Sequence, residues 1–244
     1  MEVKTQNRND VTIGTLEGFI GVIIHPAATF TRLIAAPIIW LPGLYLSLLS
    51  LLISLPLYGK YVEYNKYLSG TLVPLQGAKS GLITGEVINL QIVAMYVSVA
   101  LGPLVSSLII AVLLKLLNMI IGEETKFSQL YAITVFGKAP TILGLLISNI
   151  LLFTATGENL VRTVTTSMSL AALVPPSMVS PFVFTLLTKV GLFPIWGLIL
   201  TTIGVSKAFC TSTLKVGSII IGFWLIISLM GSLIAQDTIK QLIY

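Results

Sequence analysis

The stretch Ile88–Ile121, INLQIVAMYVSVALGPLVSSLIIAVLLKLLNMII, holds a single charge, Lys115, in 34 residues. As one helix it would reach about 51 Å. The hydrocarbon core of a bilayer is roughly 30 Å thick, so the stretch is long enough to cross it and must kink or protrude. Gly102-Pro103 is the expected place, since proline brings no backbone N–H.

Working outward, a tight link Gly122-Glu123-Glu124-Thr125-Lys126 leads into a second apolar run, Phe127–Phe153, and so short a connection predicts an antiparallel neighbour. Three further runs fit the same length: Ile34–Leu57, Phe193–Phe209 and Val216–Ala235. Apolar residues make up 55% of the 244-residue chain and charged ones 9%, with a mean hydropathy of +0.99. A soluble domain of this size has no interior large enough for so much apolar surface. The fold class expected is therefore all-α, an integral membrane bundle of five transmembrane helices.

Between the spans the expectations differ. Residues 58–87, rich in Tyr, Gly and Lys, read as an external loop with interfacial aromatics. Pro175, Pro176 and Pro181 interrupt the segment Ser169–Leu187, which reads as a broken, interface-lying or re-entrant piece rather than a sixth span. Ahead of the first span, residues 1–33 form an N-terminal interfacial segment and 34–244 the transmembrane domain. On a helical wheel Ile13, Leu16, Ile20, Ile23 and Ala27 share a face, Glu17 sits at its edge, and Gly18 and His25 lie opposite. That pattern predicts an amphipathic interfacial helix interrupted near Pro26. Glu17 inside the apolar run, and no small-x-small pattern after it, argue against a cleaved signal peptide.

Five crossings put the termini on opposite sides. With the N-terminus inside, Lys4, Arg8, Arg32, Lys115, Lys126, Lys138, Lys207 and Lys215 face inward against Lys60, Lys66, Lys79, Arg162, Lys189 and Lys240 outside, a bias in the expected direction. The formal net charge of +5 is scattered rather than clustered, which favours anionic lipid over nucleic acid as a partner.

Two lysines fall within spans. Lys115 lies near the end of the second and Lys138 well inside the third; a bare lysine at the bilayer centre costs about 2.5–3.5 kcal/mol. Either both stems snorkel to the interface, or they join Glu123 and Glu124 in a charged cluster able to lock the helix pair, bind a phosphate headgroup or line a solute path. Asn118 and Asn149 are expected to hydrogen-bond between helices, and Gly137, Gly144, Gly197 and Gly204 to mark close helix contacts. The single Cys210 and single His25 leave no disulfide and no metal site built from those types. HExxH, GxSxG and Walker A patterns are missing, so neither an enzyme nor a cofactor is expected.

The order of certain short elements resembles the Yip family of Ypt/Rab-interacting membrane proteins in its prokaryotic-type form. These are His25-Pro26-Ala27-Ala28-Thr29-Phe30, Trp40, Gly102-Pro103-Leu104, Gly122, Phe127-Ser128-Gln129-Leu130-Tyr131, Pro140, Phe193-Pro194-Ile195-Trp196 and Ile203-Gly204. The resemblance implies five membrane helices with a cytoplasmic N-terminus and an external C-terminus. Eukaryotic members are associated with Rab-type GTPases, vesicle traffic and membrane shaping. This chain lacks their Asp-Leu-Tyr-Gly-Pro-like motif and their long N-terminal region, so a Rab partner is not expected. The expected function is organisation of membrane or partner proteins, with lipid, a second copy or another membrane protein as partner. The competing expectation is a small permease or channel for an ion, solute or lipid. A cytoplasmic membrane is the expected location.

Overall fold

A computed structural model describes residues 13–75, 85–121 and 124–243. Within them the regular structure is helical, apart from one antiparallel bridge between Ser169 and Gly191. The helices are α1 (Thr15–Ile24), α2 (Pro26–Ala35), α3 (Trp40–Ser54), α4 (Tyr58–Leu75), α5 (Gly85–Ile121), α6 (Phe127–Gly137), α7 (Ala139–Thr154), α8 (Gly157–Thr166), α9 (Pro181–Lys189), α10 (Leu192–Ala208) and α11 (Thr213–Ile243). Among the described residues four helical stretches are long and apolar enough to cross a membrane: Trp40–Tyr67, Asn89–Met119, Phe127–Thr154 and Thr213–Asp237. The 17-residue α10 is apolar but shorter.

The chain divides into two compact units. The first comprises residues 1–47, 103–140 and 196–221. Its core is Val22, Phe30, Leu33, Leu130, Ile133, Phe136, Val205 and Phe209, each fully buried. Small residues bring its backbones together, as their spacing suggests. A Cβ at Gly204 would stand 2.5 Å from Ile133 Cγ2, and one at Gly137 would stand 2.5 Å from Thr201 Oγ1. α10 ends where Cys210 turns to φ 48°, with the Cys210 N–H on Lys207 O and the Thr211 N–H on Ser206 O, the paired bonds of a Schellman stop.

The second unit comprises residues 48–102, 141–195 and 222–244. It packs Leu57, Tyr61, Ile92, Leu152 and Leu160 into a core edged by Tyr64, Met95 and Tyr96. Here the expected loop at 58–87 is corrected. Pro56 is absorbed by a single 3₁₀ turn, Leu55–Leu57, and the chain resumes as α4 through Leu75; residues 76–84 lie outside those described. Tyr58, Tyr61, Tyr64 and Tyr67 stand three apart, a helical spacing. Tyr61 is buried edge-on against Tyr96, with ring centres 5.6 Å apart. Burial of Tyr61, with Tyr64 packed beside it, ties this helix to the core, while Tyr58 and Tyr67 at the ends of the row are exposed.

Other expectations meet the structure more closely. α5 stays helical through Gly102-Pro103 and runs for 37 residues, longer than one bilayer core requires. The segment before α10 is indeed broken, by 3₁₀ turns at Leu170–Leu173 and Pro176–Met178, before Ser180 caps α9 by accepting the Val183 N–H at 3.4 Å. In place of one interrupted N-terminal helix there are two, folded back on each other. The face packed inward carries Gly18, Phe19 and Val22, while Leu16 and Ile20 are more than half exposed. The wheel separated apolar from polar positions, but close packing selected glycine: a Cβ at Gly18 would come 2.5 Å from the Phe136 ring.

Candidate functional site

A polar arrangement of the first unit gathers on Thr125, in the turn after α5. Lys115 and Asn118, three apart and so on one helix face, both reach its carbonyl. Lys115 Nζ donates to Thr125 O at 2.8 Å and Asn118 Nδ2 at 3.4 Å. The Thr125 hydroxyl in turn donates to Ala208 O at 3.0 Å. Ala208 is the last residue of α10, and its carbonyl is one that a helix end leaves without a partner. Thr125 is 5% exposed and Asn118 0%. Four residues on, Gln129 joins two more helix ends. Its Oε1 accepts the Lys126 N–H at 2.9 Å, and its Nε2 donates to Ile34 O at 2.8 Å, near the end of α2.

Lys138 stands in the one-residue break between α6 and α7, where Pro140 interrupts the ladder as its missing N–H requires. Its ammonium donates to Ser106 Oγ at 2.9 Å. One turn earlier in α6, the Thr134 hydroxyl bonds Ser107 O at 3.1 Å. The two lysines singled out from the sequence thus have separate partners, Thr125 for Lys115 and Ser106 for Lys138. Glu124 is exposed, and Glu123 lies outside the described residues.

The second unit shows the same use of polar side chains. Pro56 has no N–H for the carbonyl one turn back, and the 3₁₀ turn loosens its neighbours. Asn149 Nδ2 donates to Ile53 O at 3.2 Å and Ser54 Oγ at 3.3 Å, while the Tyr96 hydroxyl reaches Ser54 O and Leu55 O, each at 3.3 Å. Beside them an open cavity of about 440 Å³ is lined by Leu52, Pro56, Leu146, Asn149 and Phe153, mostly apolar. Lys60 donates to Ala155 O at 2.8 Å, a cation at the C-terminal end of α7.

Of the remaining motif residues, His25 links α1 to α2 and its carbonyl accepts both the Thr29 N–H at 3.0 Å and the Thr29 hydroxyl at 2.9 Å. Pro26 opens α2, where a missing N–H costs nothing. Phe30 lies 3.1 Å from the Cβ position of Gly204, so this pair is a packing contact. Gly102 and Pro103 lie mid-helix in α5, Pro140 is buried in the first turn of α7, and Trp196 is half-buried in α10. Among the described residues no three His, Cys, Asp or Glu side chains gather as a metal site.

Sequence reasoning missed Thr125 and gave Gln129 no role; a threonine in a charged turn looks like any loop residue. It also missed Ser106-Ser107, whose signal was a polar pair inside an apolar run.

A family model described as the Yip1 domain matches residues 20–235. No curated protein and no solved structure matches the chain.

Proposed function

Since the chain belongs to the Yip1-domain family, we propose that it is a non-enzymatic membrane protein that organises the bilayer or partner membrane proteins. The carrying observation is the bareness of two spans. Only 17% of the apolar window is buried in Asn89–Met119 and in Thr213–Asp237, against 61% in Phe127–Thr154. Helices so uncovered offer their length to lipid, to a second copy or to another membrane helix. The use of buried polar groups supports the same reading. Lys115, Gln129, Thr134 and Asn149 spend their donors on backbone carbonyls, joining helices to one another instead of lining a path.

The reading includes five crossings, with α10, about 26 Å long, as the fourth. It places the N-terminus on the inner side of a cytoplasmic membrane. Charge supports that orientation: among the described residues, five crossings put Arg32, Lys115, Lys126, Lys138, Lys207 and Lys215 towards the inner side, against Glu17 and Glu124. Lys60, Lys66, Arg162, Lys189 and Lys240, towards the outer side, are nearly matched by Glu63, Glu86, Glu158 and Asp237.

A permease is the competing reading, and Lys138, an ammonium within a span, is the observation that favours it. Purified protein in sealed liposomes separates the two. The organiser reading expects no flux across a broad panel of ions and small solutes, together with a crosslinked copy or partner in native membranes. Substrate-dependent flux abolished by Lys138→Met overturns it.

A further inference from the structure

Residues 15–35 form an antiparallel hairpin whose register can be read from its contacts. Arg32 Nη1 donates to Glu17 Oε1 at 2.8 Å, a Cβ at Gly21 would stand 2.7 Å from Thr29 Oγ1, and the chain turns at His25-Pro26. α2 also runs antiparallel to α6. Gln129 bonds Ile34 O, and one turn further on Phe30 and Ile133 meet at the Cβ position of Gly204. Continuing that register by one more turn sets Pro26 beside Gly137. The Phe136 ring against Gly18 and Phe19 agrees, because a helical side chain leans towards the N-terminus and brings this ring back over the preceding turn.

α6 is the first part of the apolar stretch Phe127–Thr154, and Gly137 lies about 15 Å along it, half the thickness of a bilayer core. α1 and α2 have 10 residues each and are therefore about as long as one leaflet is deep. We propose that residues 15–35 are a re-entrant hairpin that enters and leaves on the same side of the membrane, with its tip at His25-Pro26 near the bilayer centre. Leu16, Ile20 and Ile24, at 58%, 51% and 60% exposed and four residues apart, form a stripe covered by the acyl chains of that one leaflet. The occupant follows from continuity: the stripe shares its depth with a membrane span. Charge placement agrees, since Glu17 and Arg32 pair at the mouth, at headgroup level, while the tip carries only His25 as a polar side chain. The turn residue itself is satisfied. At the tip the His25 N–H is taken by Gly21 O at 2.7 Å, its carbonyl by Thr29, and Pro26 has no N–H to satisfy.

The inference rests on reading Phe127–Thr154 as a membrane span, and the experiment separates the two. In full-length protein freed of its one thiol by Cys210→Gly, Leu16→Cys, Ile20→Cys, Ile24→Cys and, as a depth marker, Leu143→Cys are each labelled with an environment-sensitive fluorophore. All four positions are exposed, so the fold tolerates the label. The proteins are reconstituted in phosphatidylcholine vesicles containing lipids brominated near the headgroup or near the chain end. The expected result is a graded shift: shallow bromine quenches position 16 better, deep bromine quenches 24 better, and 20 falls between. Leu143 lies about 9 Å beyond Gly137 and so towards the opposite surface, where bromine in either place reaches it. Shallow quenching at 16, 20 and 24 with 143 still quenched overturns the hairpin and leaves the span. Failure of both bromines to quench 143 overturns both.

Discussion

The hydroxyl of Thr125 donates to the carbonyl of Ala208 at 3.0 Å, fastening the turn after α5 to the end of α10. Thr125→Val keeps the shape and removes the donor, leaving a helix-end carbonyl unsatisfied in a buried place. A loss of about 1–2 kcal/mol is expected. Thermal unfolding in detergent checks it, with Thr125→Ser restoring most of the stability and Thr125→Val not.

Cys210 terminates α10 in the left-handed region at φ 48°, where a side chain is strained and glycine is not. Cys210→Gly is expected to stabilise by about 0.5–1 kcal/mol through relief of that strain, less the entropy glycine adds to the unfolded chain. A higher melting temperature than that of Cys210→Ser, which keeps the strain, is the observable difference.

Gly204 and Gly222 make a matched pair. A Cβ at Gly204 meets Ile133 at 2.5 Å, whereas one at Gly222 meets nothing within 4 Å. Gly204→Ala is expected to cost about 1–3 kcal/mol by overpacking a core of close-set helices. Gly222→Ala should leave the melting temperature unchanged or slightly raised; equal losses for both would show that glycine matters here for something other than space.

Glu17 holds its proton less readily than an ordinary glutamate, first because it accepts a hydrogen bond from Arg32 and next because it accepts the Gly14 N–H. With the folded value below the usual 4.5, the stabilisation is complete above the unfolded value and disappears as pH falls through the folded one. The acid limb of the stability profile should therefore be flatter in Glu17→Gln than in the parent, with the two curves differing least at the lowest pH. Salt should shrink the difference, because both groups are exposed.

Much of this architecture is legible in the residues taken one stretch at a time. Asn89–Met119, Phe127–Thr154 and Thr213–Asp237 announce themselves because apolar surface in such runs has no stable place in water. Pro26 and Pro140 stand at real breaks, where a missing N–H interrupts the ladder, although α5 runs through Pro103 unbroken. The spacing of Gly137, Gly197 and Gly204 likewise points to close approach, and α6 and α10 do meet there.

Partner choice was not legible. Lys115 and Lys138 stood out as costly charges, yet nothing in their neighbourhoods along the chain named Thr125 O or Ser106 Oγ as the groups that receive them. Pro56 read as a span end because the donor rescuing its loosened carbonyls, Asn149, lies ninety-odd residues away. The same holds for the N-terminal hairpin. Its polarity pattern follows from residue order, but that Gly18 rather than Leu16 faces the bundle depends on the position of the Phe136 ring. Solvent preference and backbone valence are properties each segment carries with it; pairing and depth belong to contacts between distant segments, and exist only once the helices are packed.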